Sequence, residues 1–332
     1  LVSFTGSMMQ TAAILWHVSL LVPPGRRALA LGMVGLIRVA PIVVFSTIAG
    51  VVADLVDRRR LMMATQSASA VIALALAILT FRGLDDVGPI YLLAALSSAA
   101  SSFDGPARQS LIPNLVPREH LPNAISFNAI MIQVASVLGP SIGGLLIARL
   151  GVGWVYVANA LSFGFVIGAL ASMRGVSTGG AERNKVTLRM MTDGLRFVFS
   201  APLIRSTMLL DFFATFFSSA TALLPIFAQD VLGVGVRGYG WLYAAPAIGA
   251  VITSAAMVHL VERIERRGVV LLWSVGAYGL ATTVFGMSRA FWLTFVCLAL
   301  TGAADTVSMV FRNIVRHMET PDALRGRMVG VN

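Results

Sequence analysis

Five ionisable side chains lie within apolar stretches of this sequence, where little water is available to stabilise a charge. They are His17, Arg38, Asp104, Asp211 and Asp305. A charged group is costly inside a bilayer, and those that occur there usually serve transport or proton transfer. A carboxylate in a partly dry cavity can exchange protons near neutral pH, and an arginine can bind an anion.

The spacing to the nearest arginine separates these candidates. Arg38 is the deepest, because charged residues are far away on both sides, and it either binds an anionic group or neutralises a buried aspartate. Asp211 and Asp305 lie six and seven residues from an arginine, about 9–10 Å along a helix, and are expected in a wet cavity near one end of a span. Asp104 precedes Arg108 by four residues, which predicts a local ion pair.

The elements that carry these residues are predicted to be membrane-spanning helices. The chain is 57% hydrophobic and 12% charged, whereas soluble domains have roughly 25% charged residues. Apolar runs of about 20 residues recur, and a helix of that length spans a hydrocarbon core of about 30 Å. We therefore predict an all-α, polytopic membrane protein with about ten spans. The approximate bounds are 1–22, 28–52, 61–81, 89–107, 124–148, 154–173, 207–228, 240–261, 269–288 and 291–311.

A charged pattern occurs twice between these spans. The pattern acid-x-x-acid-Arg-Arg fills Asp54–Arg59 and again Glu262–Arg267, an offset of 208 residues (262 − 54). Arg108 and Arg312 each precede a proline by nine residues, an offset of 204 (312 − 108). Two near-equal offsets indicate two pseudo-symmetric six-helix halves, an architecture typical of secondary transporters.

The duplication predicts three parts of the chain. Residues 1–173 form the first six-helix half, residues 174–206 a linker, and residues 207–332 the second half. Subtracting 204 from 332 places Asn332 opposite Asn128, at the start of the fifth span. We therefore expect the second half to be truncated after its fourth helix, with two more helices in the complete protein.

The basic residues predict how the spans are oriented. Eighteen of the 25 Lys and Arg residues lie in loops on one side, including the linker, and six lie on the other. Basic loops stay in the cytoplasm, so the first set is expected there. This topology accounts for the formal net charge of +10, and nucleic-acid binding is not expected.

The loop after the second span carries a family resemblance. Gly50, Asp54, Arg58 and Arg59 are similar to the loop motif of the major facilitator superfamily, with Leu55 in place of its usual arginine. Three further segments look like the branch of enterobactin-exporter-like efflux permeases. They are residues 103–108, 115–119 and 321–327. The resemblance covers the whole chain and implies the plasma membrane, here a bacterial inner membrane.

This resemblance implies a role for the charged loop. In the superfamily such a cluster latches the two halves on the cytoplasmic side and breaks when the transporter opens inward. The latch residues would be Asp54, Asp57, Arg58, Arg59 and Arg108. The alternative is a cluster that orients the chain in the membrane and has no gating role.

The fifth span contains Gly139-Pro140-x-x-Gly143-Gly144, which resembles the motif of proton-coupled exporters in the superfamily. Small residues let two helices approach closely, and proline removes one backbone hydrogen bond. The motif favours export over import. The alternative is ordinary helix packing.

The resemblance also implies a central cavity lined by spans one, four, seven and ten. It places His17, Asp104, Asp211 and Asp305 on cavity helices, with proton coupling expected at Asp211 or Asp305. The expected function is a proton-coupled exporter of a small amphipathic molecule, siderophore or drug-like, that works by alternating access. The alternatives are an importer of a small solute and a membrane receptor that does not transport.

Neither catalysis nor a cofactor is predicted. The sequence has no Walker loop, and its four histidines lack the spacing of metal ligands. The expected partners are a small-molecule substrate, protons as the coupling ion and the lipid bilayer, and we expect a monomer.

Overall fold

A computed structural model describes residues 1–84, 86–172, 205–206, 208–210, 221–264 and 266–319. Every regular element in this part of the chain is a helix, as predicted. Nine described helices have 20 residues or more, and a shorter helical segment covers Thr221–Val231. The nine are α1 (Val2–Leu21), α2 (Arg27–Leu55), α3 (Arg58–Phe81), α4 (Val87–Leu115), α5 (Leu121–Leu150), α6 (Val152–Ser172), α7 (Gly235–Leu260), α8 (Arg267–Met287) and α9 (Phe291–Glu319).

Nine of the predicted spans coincide with these helices, with differences at the ends. Half of the seventh, 207–228, lies outside the described residues. Helices α4 and α9 each continue eight residues past the predicted end, to Leu115 and Glu319. The predicted spans end before an arginine, where the apolar run stops. The helices can continue past that point because their backbone hydrogen bonds do not require lipid. The same extension in both halves agrees with the duplication.

Seven of the described helices are long and apolar enough to cross a bilayer, and α1 and α4 are not among them. Both carry many polar residues, which lower the mean hydropathy. In α1, however, Gln10, His17 and Ser19 are buried. The polar side chains of α1 therefore face other helices, and hydropathy alone underestimates a helix surrounded by protein.

The chain divides into two compact units, with a boundary inside α7 after Ala244. In the first unit, α1 packs mainly on α5 and α6, α3 packs on α4 and α6, and α2 packs on α4. The ring of Phe81 meets Trp154 edge-on with 5.7 Å between centroids, which joins α3 to α6. The hydroxyl of Tyr91 donates to the carbonyl of Ala30 at 2.8 Å and joins α4 to α2.

Glycines end two helices of this unit. Gly83 follows α3 with φ of 64°, and Gly151 follows α5 with φ of 94°. A side chain would be strained at such angles, so glycine allows the chain to turn sharply.

The second unit contains the rest of α7 with α8 and α9. Helix α8 packs along α9. Helix α7 approaches α9 so closely that a Cβ on Gly249 would overlap the backbone of Ala299, and one on Gly302 that of Pro246. An apolar groove of about 540 Å³ lies among residues of these three helices.

Candidate functional site

Asp104 lies at the centre of a polar network on α3 and α4. Its carboxylate accepts hydrogen bonds from Thr65 Oγ1 at 3.3 Å, Gln66 Nε2 at 2.7 Å and Arg108 at 2.7 Å. The guanidinium of Arg108 also lies 4.4 Å from the centre of the Phe4 ring on α1. The ion pair predicted from the spacing of Asp104 and Arg108 is therefore present. Three donors on α3 and α4 therefore hold this carboxylate in place.

The described side chains of the charged loop after α2 hold helix ends. Asp57 caps the N-terminus of α3 by accepting from the backbone N–H of Arg60 at 3.0 Å. Arg59 donates to the carbonyls of Leu170 and Ala171 at 2.6 and 2.9 Å. A cation near the last carbonyls of a helix is favourable, so Arg59 stabilises the end of α6. Both contacts lie within the first half of the chain.

The other members of the predicted latch are distributed differently. Arg58 is the first residue of α3, whereas the side chain of Asp54 lies outside the described part of the structure. Arg108 belongs to the Asp104 network. The charged loop therefore contributes at least two contacts at helix ends, one at the start of α3 and one at the end of α6.

His17 is buried between α1 and α6, with 3% of its surface exposed. Its Nδ1 lies 3.1 Å from the hydroxyl of Tyr156. Further along the same pair of helices, Asn159 donates to Gln10 at 2.8 Å and accepts from Ser162 at 3.0 Å. These residues form a polar seam that joins α1 to α6.

The glycines of α5 face two different helices. A Cβ on Gly139 would lie 2.6 to 2.9 Å from atoms of α1, and one on Gly143 would lie 2.8 Å from Met9. A Cβ on Gly144 would lie 2.9 Å from the Cα of Gly240 on α7. In return, a Cβ on Gly240 would lie 2.7 Å from the carbonyl oxygen of Pro140. The motif therefore allows α1 and α7 to approach the backbone of α5.

Arg38 lies beside polar and aromatic groups in the first unit. It donates to Thr11 Oγ1 on α1 at 3.1 Å. Tyr243 meets Tyr239 edge-on at 5.8 Å, and Tyr239 lies 5.1 Å from Trp16. The side chains of Arg38, Thr11 and Tyr243 are only half-buried.

Asp305 is on α9, and 55% of its side chain is exposed. In the sequence it has no basic neighbour within one helical turn. In the structure the guanidinium of Arg312, two turns further on, lies 3.7 Å from its carboxylate. The side chain of Arg312 is only 7% exposed, so it reaches back along α9 under the protein surface. Asp211 lies outside the described residues.

Sequence reasoning missed one ion pair. Arg27, at the start of α2, donates to both carboxylate oxygens of Asp230, at 2.9 and 3.1 Å. Beside it, Gln229 donates to Ser19 at 2.7 Å. In the sequence, Arg27 is only one of the basic residues that predict the orientation of the spans. The residues around it give no sign of a partner 203 positions away.

The described residues contain no cluster of His, Cys, Asp and Glu that could hold a metal ion.

A family model described as transmembrane secretion effector matches residues 1–332. This chain belongs to that family of the major facilitator superfamily. The family and its relatives below are transporters rather than enzymes, so the chain is a multi-pass membrane protein of a transporter family.

Curated relatives of this family member are exporters. The chain is 28% identical over 284 residues to the enterobactin exporter EntS of Escherichia coli O1:K1, covering 86% of this chain and 68% of the relative. It is 28% identical over 287 residues to the enterobactin exporter of Escherichia coli O139:H28, with the same coverage.

Solved structures share the fold at low sequence identity. A bacterial homologue of the iron transporter ferroportin, in its inward-facing state, matches with a TM-score of 0.72 and 16% identity. The D-xylose-proton symporter matches with a TM-score of 0.71 and 12% identity. Each match covers 99% of this chain and 84% of the other. The resemblance to the major facilitator superfamily is thus confirmed.

Proposed function

We propose that this chain is a proton-coupled exporter of a small amphipathic molecule, either siderophore-like or drug-like. The observation that carries the direction of transport is the similarity over 284 residues to an enterobactin exporter. The close approach of α1 and α7 to the glycines of α5 supports the same direction, because the motif resembles that of proton-coupled exporters. Transport would proceed by rocking of two halves around a site near the midplane.

Alternating access requires contacts that break at each end of the bundle. At the predicted outer end, the Arg27–Asp230 ion pair ties α2 to the Thr221–Val231 segment. We assign it the role of an outer closure that opens when substrate is released. At the predicted cytoplasmic end, Asp57 and Arg59 hold helix ends. The gating role of that cluster therefore falls to Asp54 and Arg58.

Proton coupling is assigned to Asp305 ahead of Asp104. More than half of the Asp305 side chain, 55%, is exposed. Water can therefore deliver a proton to its carboxylate. Asp104 is less exposed, with 17% of its side chain accessible, and three donors already occupy its carboxylate. Asp211 is the alternative carrier. Of the candidates that the structure describes, His17 is the least accessible, with 3% of its surface exposed.

The test uses everted bacterial membrane vesicles energised by respiration, which acidifies their interior. The probes are 1-naphthalenesulfonate, its neutral sulfonamide and N-methylquinolinium. We expect uptake of at least one probe to exceed that of vesicles lacking the protein and to collapse with a protonophore. Uptake only in right-side-out vesicles would mean an importer, and no uptake in either would mean a protein that does not transport. Each of these results would contradict export.

A further inference from the structure

We propose that Arg38, together with Thr11 and Tyr243, binds the anionic group of the transported molecule, so that the substrate is an organic anion with an aromatic body. This inference rests on the proposed transport function and specifies the substrate class. Three observations carry it: the depth of Arg38 in the membrane, the lack of an acidic partner in the described structure, and the aromatic side chains beside it.

The position of Arg38 makes its charge costly. It lies eleven residues after the start of α2 at Arg27, about 16 Å along the helix, and 17 residues before Leu55. Because a hydrocarbon core is about 30 Å thick, this places the guanidinium near its middle. An arginine cannot lose its proton in a protein, so it needs an anion or several acceptors at that depth.

The described partners of Arg38 do not meet this need. Its side chain donates to the hydroxyl of Thr11, which is neutral. Among the described residues, three other arginines of the same unit have stronger acceptors. Arg27 binds a carboxylate, Arg108 binds a carboxylate, and Arg59 binds two carbonyls at a helix end. Within the part of the chain that the structure describes, no carboxylate pairs with Arg38.

The surroundings of Arg38 suit an aromatic anion. Tyr239 is held in place by a 2.8 Å hydrogen bond to the carbonyl of Ala12, and it contacts the rings of both Trp16 and Tyr243. Tyr243 packs edge-on against Tyr239, and its half-buried hydroxyl can donate to the same anion. Planar oxyanions can bind a guanidinium through two parallel hydrogen bonds, and aromatic rings pack well against one another.

The experiment measures binding of 1-naphthalenesulfonate and of the neutral 1-naphthalenesulfonamide to the purified full-length protein. The two probes share one ring system and differ in charge. We expect the wild type to bind the sulfonate about tenfold or more tightly, as expected for one charge-assisted contact. Arg38→Gln should abolish this preference, Arg38→Lys should keep part of it, and Thr11→Val should reduce it slightly. Arg149→Gln, which removes an exposed arginine at the end of α5, should leave it unchanged.

A wild type without preference for the sulfonate, or an Arg38→Gln variant that keeps the preference, would overturn the inference. It would also be overturned by a misfolded Arg38→Gln variant that Asp211→Asn restores, since Arg38 would then neutralise a buried aspartate. If Arg38 selects the sulfonate but vesicles show no proton-driven flux, the site stands and the exporter proposal fails. Proton-driven flux that is equal for charged and neutral probes, and equal in the wild type and Arg38→Gln, would instead leave the exporter proposal standing and overturn the site.

Discussion

At the scale of single residues, the ionisable side chains within the helices differ in the partners around them. Asp104 has three donors, Asp305 lies 3.7 Å from a cation, and Arg38 donates to a neutral hydroxyl. The sequence places all three inside apolar spans and predicts the Asp104–Arg108 pair from its spacing. It does not reveal the remaining partners, because they lie on other helices or two turns away.

The first prediction concerns Asp104. Asp104→Asn keeps the shape of the side chain but removes the charge that Arg108, Thr65 and Gln66 stabilise. We expect a loss of about 1–3 kcal/mol in the free energy of unfolding, because Arg108 loses its anion. Thermal unfolding in detergent measures it, with Asp86→Asn, an exposed residue just before α4, as the control. Equal melting temperatures for Asp104→Asn and the wild type would show that the network contributes nothing to stability.

The second prediction concerns Asp305. Asp305→Asn cannot carry a proton, so we expect proton-driven flux to lose its dependence on pH while the protein stays folded. Asp104→Asn should retain that pH profile after correction for the amount of folded protein. Flux measured against pH in vesicles checks both variants. If Asp305→Asn keeps the wild-type profile and Asp211→Asn loses it, coupling belongs to the seventh span instead.

At the scale of helices, the glycines of α5 are predicted from the sequence to allow close packing, and they do. What the sequence cannot predict is the partner of each one. Gly240 is the first residue of the predicted eighth span, and in the structure it lies inside α7 and faces Gly144. The hydropathy pattern locates α7, but only the packing reveals that its first residues contact α5.

The third prediction tests this crossing. Gly144→Ala places a methyl group 2.9 Å from the Cα of Gly240 and from the carbonyl oxygen of Val236, and both are backbone atoms that cannot rotate away. We expect a melting temperature several degrees lower and reduced flux, since overpacking typically costs about 1–3 kcal/mol. Gly164→Ala on α6 is the matched control, because a Cβ there has no atom within 4 Å. A Gly144→Ala variant as stable and active as Gly164→Ala would mean that the close approach is not required.

The ends of α4 and α9 illustrate another limit of prediction from sequence. In the sequence, an arginine after a long apolar run marks the membrane boundary. The predicted helix is ended at the same arginine. Arg108 and Arg312 instead fold back onto carboxylates, and the helices continue past them. The boundary of the membrane and the end of a helix are set by different interactions, so one does not predict the other.

At the scale of the whole molecule, the repeat, the charge asymmetry and the loop motif are enough to predict a transporter of the major facilitator superfamily. The Arg27–Asp230 pair is not predictable, because its members are distant in sequence and neither lies in a motif. Only the fold brings them together. In the proposed cycle this pair closes the outer end of the pathway.

The fourth prediction tests that closure by charge exchange. Arg27→Asp and Asp230→Arg should each impair flux, because each places two like charges together. The double variant restores an ion pair of reversed polarity, and we expect it to recover a large part of the wild-type rate. Vesicle transport at low and high salt checks this, with Arg26→Asp as the control for charge alone. If the double variant loses as much flux as the two single variants combined, the ion pair has no role in the mechanism.

The central claim is that substrate leaves in exchange for protons, and the sign of a pH change tests it most directly. Liposomes containing the purified full-length protein are loaded with 1-naphthalenesulfonate and the pH-sensitive dye pyranine, diluted into probe-free buffer, and held at zero potential with valinomycin and potassium. Exchange predicts that the interior becomes more acidic as the probe leaves, faster than in protein-free liposomes and not in Asp305→Asn. An interior that becomes more alkaline, or a probe that leaves with no pH change, would contradict proton-coupled export.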